Sequence, residues 1–236
     1  MKFPMGVSSK SSLSEMLSLF FQESTYNVCV SKQQAHRSVT SKVKRSIDIL
    51  GALLGLAIAA VVAVPVAVAM LLDNPGPLLY SQVRCSFKGR HFRIWKFRSM
   101  VVGAENLKHL VSNQAKGHIF KNENDPRITR VGRFLRSTSL DELPQFWNVL
   151  VGDMSLVGTR PPTPDEVAAY DEFHWQRLNV KPGLTGEWQV NGRSRVKDFD
   201  EIVRMDLDYQ GKWSIVYDIT LICKTILVVF SKNGAC

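Results

Sequence analysis

The sequence predicts an α+β, mostly helical, monotopic membrane protein, with a re-entrant Pro-kinked membrane helix, a small β-hairpin and amphipathic surface helices. Three observations predict it. Ile49–Leu72 is a run of 24 residues without a formal charge, mostly Ala, Val, Leu and Ile. Pro65 lies inside that run, and basic residues flank it on both sides. The remainder carries helical patterning and capping signals with a single hairpin signal.

The apolar run would reach about 36 Å as a straight helix, against a bilayer core of about 30 Å. It starts too far from the N-terminus and is too long for a signal peptide. Pro65 lacks an N–H and crowds the preceding turn, so the sequence predicts pieces of about 16 and 8 residues, neither of which spans alone. Lys42, Lys44 and Arg45 precede the run, and Arg84, Lys88, Arg90, Arg93, Lys96 and Arg98 follow it. The positive-inside rule places both ends in the cytoplasm. Asp73-Asn74-Pro75-Gly76-Pro77 then stops the helix abruptly. A helix that enters and turns back at Pro65, the membrane break, satisfies all three features; a kinked single span is the alternative.

The predicted organisation has four parts: a polar, Ser-rich leader over 1–45 with an apolar patch near Leu17–Phe21, a re-entrant helix over 46–75, a catalytic domain over 76–232, and a tail over 233–236. In the third part, Leu78–Arg84 and Arg90–Phe97 read as a hairpin around Ser86-Phe87-Lys88-Gly89. Val101–Ala115 has helical periodicity, and Asp125-Pro126-Arg127 opens a helix toward Arg136. Pro144–Leu150 reads as a helix ending at Gly152. Thr163-Pro164-Asp165-Glu166 is a capping box with proline at the first helical position, predicting a helix to about Leu178. Lys181-Pro182-Gly183 reads as a turn, and Asp198–Tyr209 as a helix with an acidic first turn. Ile215–Phe230 carries Asp218 and Lys224, too polar to span; it is a core helix or one lying on the membrane surface.

Charge is concentrated. The net charge is +9, and residues 81–136 hold 13 Lys and Arg against 3 Asp and Glu. Such a block points to anionic partners: nucleic acid, lipid head groups or phosphorylated substrates. It lacks an obvious recognition helix or an aromatic stacking pattern, so no nucleic-acid partner is expected. Cys29, Cys85, Cys223 and Cys236 form no CxxC pair, and the five His are dispersed. A zinc site or disulfide framework is therefore not expected, and a reducing compartment fits best.

The chemistry centres on Asp141 and Glu142 in Thr138-Ser139-Leu140-Asp141-Glu142-Leu143-Pro144. A carboxylate pair can divide labour, one attacking phosphorus while the other holds a divalent cation. Mg²⁺ needs only one or two protein carboxylates when substrate phosphates complete its shell. Helix capping is the competing reading, since Ser139-x-x-Glu142 is itself a capping box. Pro144 would then fall in the second turn, so the acids are expected at a bend or just before the helix. Around the pair lie Lys96, Arg98, Arg127, Arg130, Arg133, Arg136 and Arg160, and guanidinium groups bind phosphate bidentately.

A set of motifs occurs in order. It comprises Lys44-Arg45-Ser46-Ile47-Asp48, Gly76-Pro77-Leu78, Gln82-Val83-Arg84, Lys96-Phe97-Arg98-Ser99-Met100 and Asp125-Pro126-Arg127-Ile128-Thr129, then Leu135–Gln145, Gly152–Pro161, Lys181–Gly186 and Gln189-Val190-Asn191-Gly192-Arg193. This set resembles the bacterial sugar transferase family of monotopic polyprenyl-phosphate phosphoglycosyl transferases, over about residues 42–232. The resemblance implies transfer of a sugar-1-phosphate from a UDP-sugar, glucose or galactose, to undecaprenyl phosphate, with release of UMP. It implies Asp141 as nucleophile, Glu142 at Mg²⁺, Arg136 positioning the pair and Arg160 binding phosphate. Lys96, Arg98, Asp125, Arg127, Pro161, Gln189 and Arg193 match motif positions and are further candidates for substrate binding. It also implies exopolysaccharide assembly as the setting, the cytoplasmic face of the bacterial inner membrane as the location, membrane lipid as a partner and a homodimer as a compatible state. Other sugars, such as an N-acetylhexosamine, or a UDP-releasing glycosyl transferase are the alternatives. The chain departs from the pattern at Thr159 (often Pro), Cys85 (usually Gly) and Val64 (Ser in some members), and resembles a short form with a longer polar leader.

Overall fold

The computed structural model describes residues 35–120, 122–192, 196 and 198–230. Leu17–Phe21, Cys29, Arg193 and the tail at 233–236 lie outside the described residues.

Helix α1 (Arg37–Thr40) is one turn, followed by α2 (Lys42–Asp73), whose N-cap Ser41 accepts from the Lys44 backbone N–H. Among the described residues α2 is the one helix long and apolar enough to cross a membrane by length and composition. It is a single helical element that contains Pro65. A proline removes one hydrogen bond, and the apolar helix formers on either side carry the element past it.

One stripe of α2 is buried: Lys44, Asp48, Ala52, Gly55, Ala59, Val66 and Met70. Their spacing is that of one helix face. The opposite face exposes Leu50, Leu54, Ile58, Val61, Val64, Val68 and Leu72. Both ends dock on the same body. At the start, Arg45 donates to the carbonyls of Val149 and Leu150 at 2.7 Å, and Asp48 accepts from Ser155 Oγ and the Leu156 N–H at 2.9 Å. At the end, Asp73 Oδ2 accepts from the Val131 N–H at 2.9 Å, and Arg98 donates to Asn74 Oδ1 at 2.5 Å and its carbonyl at 2.6 Å. Small residues allow the close approach: a Cβ at Gly55 would lie 2.4 Å from the Phe146 ring.

The hairpin forms as expected. Strands β1 (Leu79–Cys85) and β2 (His91–Phe97) pair antiparallel, with Gln82 opposite Ile94 and Tyr80 opposite Lys96. Lys88 turns the loop with φ +55°. The helix expected over Val101–Ala115 shrinks to a 3-10 segment, Ala104–Leu110. It lies exposed, without the apolar contacts that would stabilise a longer helix. Helix α3 (Arg130–Ser137) starts at its N-cap Thr129, a few residues later than the Asp125 signal suggests.

A 3-10 segment, Leu140–Gln145, leads into α4 (Phe146–Val151), which ends at Gly152 with φ +91°. Strand β3 (Ser155–Val157) pairs in parallel with β4 (Gly183–Thr185), so the Lys181-Pro182-Gly183 turn leads directly into a strand the sequence did not signal. Helix α5 (Pro164–Ala168) has the expected capping box, with both Thr163 and Glu166 engaged. It stops short of Leu178 because Asp171 opens a second capping box with His174 for α6 (Glu172–Trp175). Helices α7 (Glu187–Asn191), α8 (Phe199–Lys212) and α9 (Ile215–Phe230) complete the described residues. Arg177 is fully buried and donates to Asp206 at 2.6 Å and to the Tyr170 hydroxyl at 2.9 Å, fixing the α6–α8 packing. Helix α9 has a buried side with Asp218 and Leu221 and an exposed apolar side with Val216, Ile219, Ile226 and Leu227.

Candidate active site

The acid pair sits where the sequence places it, at a bend before a helix. Ser139 enters the 3-10 segment in the left-handed region, φ +57° and ψ +16°, and its side chain makes no cap. The capping-box reading of Ser139 therefore does not apply. A left-handed serine is held only by its surroundings, at a cost of about 1 kcal/mol or more. The two acids then diverge. Asp141 is buried at 6% exposure, while the Glu142 side chain is 40% exposed and its Oε1 accepts from Lys96 Nζ at 2.8 Å. Burial pushes the Asp141 carboxyl above the usual carboxylate range, against the opposing pull of Lys96. Glu142 adds to the rise and Arg136 opposes it. Arg136 Nε donates to Ser99 Oγ at 2.8 Å, which fixes that guanidinium between α3 and the end of β2.

A cavity of about 700 Å³ opens beside the pair. Its polar lining includes Lys96, Glu142, Arg160, Gln189 and Arg84. Its apolar walls come from Leu54 and Ile58 of α2 and from Ile222, Ile226 and Val229 of α9. Pro161 is also in the lining, and its carbonyl accepts from Arg84 Nη1 at 3.0 Å. Arg160 is held by a two-point pair with Glu166, at 3.0 and 3.4 Å. Glu166 is the same carboxylate that closes the α5 capping box, and Arg160 holds it below its ordinary range despite burial.

Five expected site residues are not part of the cavity lining: Arg98, Asp125, Arg127, Arg136 and Asp141. Arg98 caps the end of α2, donating Nε to the Pro77 carbonyl at 2.8 Å as well as binding Asn74. Asp125 and Arg127 form a buried pair at 2.6 Å, with Arg127 Nη1 on the Ala104 carbonyl and its guanidinium over the Phe120 ring. They fold the 98–129 loop onto itself. Arg127 holds the Asp125 carboxyl below its usual range. Asp141 is close enough to feel Lys96 and Arg136 but is not part of the cavity lining.

Sequence reasoning assigned no role to Arg84, Gln145 or Trp188, all of which line the cavity. Arg84 and Gln145 lie inside the quoted motifs, which was the available signal. Trp188 carried none.

No group of three or more His, Cys, Asp or Glu side chains suited to a metal occurs among the described residues. The acid pair alone fits a cation whose other ligands are phosphate oxygens and water, which is how Mg²⁺ is commonly held. Glu142, partly exposed at the cavity, is the carboxylate placed to do so.

A long helix with one exposed apolar face thus borders a cavity that also carries Lys96, Arg84 and Arg160. Residues 39–232 match the family model described as bacterial sugar transferase. The chain is 53% identical over 194 residues to a galactosyl transferase, CpsE, of Streptococcus agalactiae, covering 81% of this chain and 43% of that protein. It is 40% identical over 208 residues to the UDP-glucose:undecaprenyl-phosphate glucose-1-phosphate transferase of Escherichia coli, covering 84% and 42%. It is 35% identical over 207 residues to the exopolysaccharide production protein ExoY of Rhizobium meliloti, covering 85% and 91%. The chain belongs to the bacterial sugar transferase family. It spans less than half the length of the first two of these relatives.

Proposed function

We propose that this chain transfers a sugar-1-phosphate from a UDP-sugar to undecaprenyl phosphate, giving UMP and undecaprenyl-diphosphate-sugar. The observation that carries the reading is the cavity in which Lys96, Glu142 and Arg160 meet apolar walls from α2 and α9. A soluble anionic donor and a lipid acceptor need such a junction. The relatives' names support galactose or glucose as the sugar and exopolysaccharide assembly as the setting.

In this reading an Asp141 carboxylate oxygen attacks the β-phosphorus of the UDP-sugar. The bond from that phosphorus to the bridging oxygen breaks, and UMP leaves with the electron pair. An oxygen of the lipid phosphate then attacks the phosphorus held on Asp141, and the carboxylate is regenerated. A carboxylate needs no deprotonation at neutral pH, and an acyl phosphate is itself a good donor. Attack on an anionic centre is opposed electrostatically, and Lys96, Arg136 and Arg160 offset that charge. Mg²⁺ held through Glu142 would add charge neutralisation on the donor phosphates. Asp141 is buried, so the segment must open for attack. The partly exposed Lys96–Glu142 contact is the one that a substrate phosphate would exchange.

The docking of both ends of α2 on one body supports a helix that enters and leaves on the same, cytoplasmic face, with Pro65 near its deepest point. A helix of 32 residues measures about 48 Å, and a simple span would carry its two ends to opposite sides.

The test is a panel of UDP-sugars with undecaprenyl phosphate and Mg²⁺, with nucleotide products resolved. UMP release that needs the lipid phosphate is expected. Release of UDP would overturn the reading in favour of attack at the anomeric carbon.

A further inference from the structure

Four buried side-chain polar atoms are without a hydrogen-bond partner among the described residues: Arg84 Nε, Gln145 Nε2, Trp188 Nε1 and Gln189 Oε1. All four residues line the one cavity beside the acid pair. Buried polar atoms are nearly always paired, because an unpaired one forfeits about 1–3 kcal/mol of solvation. Three of the four, Arg84 Nε, Gln145 Nε2 and Trp188 Nε1, are N–H donors, and three unpaired donors on residues lining one cavity mark a site for an acceptor rather than separate accidents; Gln189 Oε1 is itself an acceptor.

Charge bookkeeping points the same way. Arg84 donates to the Pro161 carbonyl at 3.0 Å and to Gln82 Oε1 at 2.7 Å, both neutral acceptors. The nearby carboxylate, Glu166, is committed to Arg160 through two hydrogen bonds. Arg84 and Arg160 therefore share Glu166, and the other carboxylate that acts on Arg84, Glu105, is held by Tyr80 and Gln82. Burial, with Arg160 adding to it, pushes the Arg84 guanidinium down to about 10. Other buried arginines are compensated: Arg177 by Asp206, Arg127 by Asp125, and Arg98 by the carbonyl end of α2. Arg84 lacks an equivalent, and one further anion would complete it.

We propose that Arg84, with the Trp188 indole N–H and the Gln145 amide N–H, holds the phosphate of the lipid acceptor, whose isoprenyl chain leaves between α2 and α9. The site takes a phosphate monoester because that group is anionic and accepts from several donors at once. The apolar walls argue for the lipid over the nucleotide. Leu54, Ile58, Ile222 and Ile226 border the cavity, and their helices continue into the exposed apolar faces of α2 and α9. A nucleotide would gain nothing from that wall. The assignment rests on the proposed transfer reaction, and its test does not require turnover.

Equilibrium binding of farnesyl phosphate and of UDP to the detergent-solubilised full chain, with farnesol as the uncharged control, separates the possibilities. R84M should weaken farnesyl phosphate at least tenfold, change UDP less than threefold and leave farnesol unaffected. W188F keeps an aromatic ring and removes the donor, and should weaken farnesyl phosphate about three- to tenfold; it covers the case in which R84M fails to fold. R84K should recover part of the loss. Equal weakening of UDP would move the site to the donor nucleotide and overturn the assignment, as would unchanged farnesyl phosphate binding in both variants. If the wild type binds farnesyl phosphate through Arg84 but releases no UMP with any UDP-sugar, the transfer reading fails and this site stands.

Discussion

Lys44 Nζ lies 2.5 Å from Asp218 Oδ2, and both side chains are about 95% removed from solvent. This pair ties the first turn of α2 to α9. Lys44 also donates to the Val157 carbonyl at 3.0 Å. Asp218 accepts further from the Tyr209 hydroxyl at 2.8 Å and the Trp213 indole at 3.1 Å. Removing one partner strands the other charge. Asp218→Asn or Lys44→Met should therefore destabilise the protein by about 3–5 kcal/mol. The double variant Lys44→Met/Asp218→Leu should recover a substantial part. Thermal unfolding in detergent measures both, and additive losses in the double variant would contradict a coupled pair.

The docking of both ends of α2 predicts one-sided labelling. Ser46 and Pro75 flank the helix interior and are exposed. Cysteines placed singly at these positions, in a background without the native cysteines, should both react with a membrane-impermeant maleimide only after cells are opened. Reaction of position 75 in intact cells would place that end outside.

Asp141 must be ionised to attack, and burial already raises its pKa while Lys96 and Arg136 lower it. Lys96→Met removes the larger opposing charge, so the Asp141 pKa rises further. A rise moves the acidic limb of the kcat/KM profile to higher pH, with activity lost first on the acid side. An unchanged limb in this variant would detach that ionisation from Asp141. Asp141→Asn should leave the fold intact by circular dichroism and reduce UMP release at least a thousandfold.

Arg98 separates a structural from a substrate role. Its three donors go to Asn74 and Pro77, at the exit of α2. Arg98→Met should lower stability by about 2 kcal/mol, given that hydrogen bonds from a buried charged group contribute about 1.5–3 kcal/mol each before repacking. The KM values for UDP-sugar and lipid phosphate should change less than threefold. A large rise in either KM with unchanged stability would return Arg98 to the substrate site.

Local patterns carried much of the fold because they report on residues close in sequence. The hairpin, the Thr163–Glu166 capping box, the Gly152 stop and the apolar run Ile49–Leu72 were legible from local sequence alone. Asp141 and Glu142 stood out because Pro144 complicates ordinary capping and because the surrounding motifs resemble a family that uses such a pair. Which cations join them was not legible. Lys96, Arg98 and Arg127 look alike in the chain, yet Lys96 meets Glu142, Arg98 caps α2 and Arg127 closes on Asp125. Only the β1–β2 register and the path of the 98–129 loop decide which charge faces the cavity. The parallel pairing of β3 with β4 was equally silent, since its two strands are three residues each and 25 residues apart.

The apolar segment follows the same division. Its length, its proline and its basic flanks are properties of the sequence, and they determine that a long apolar helix forms. That both its ends rest on one body, and that Ala52, Gly55 and Val66 turn inward while Leu54 and Ile58 wall a cavity, required the tertiary structure. Hydrophobicity is non-directional, so it drives burial without choosing a partner. The partners were chosen by shape at Gly55 against Phe146, and by paired charge at Lys44 and Asp218.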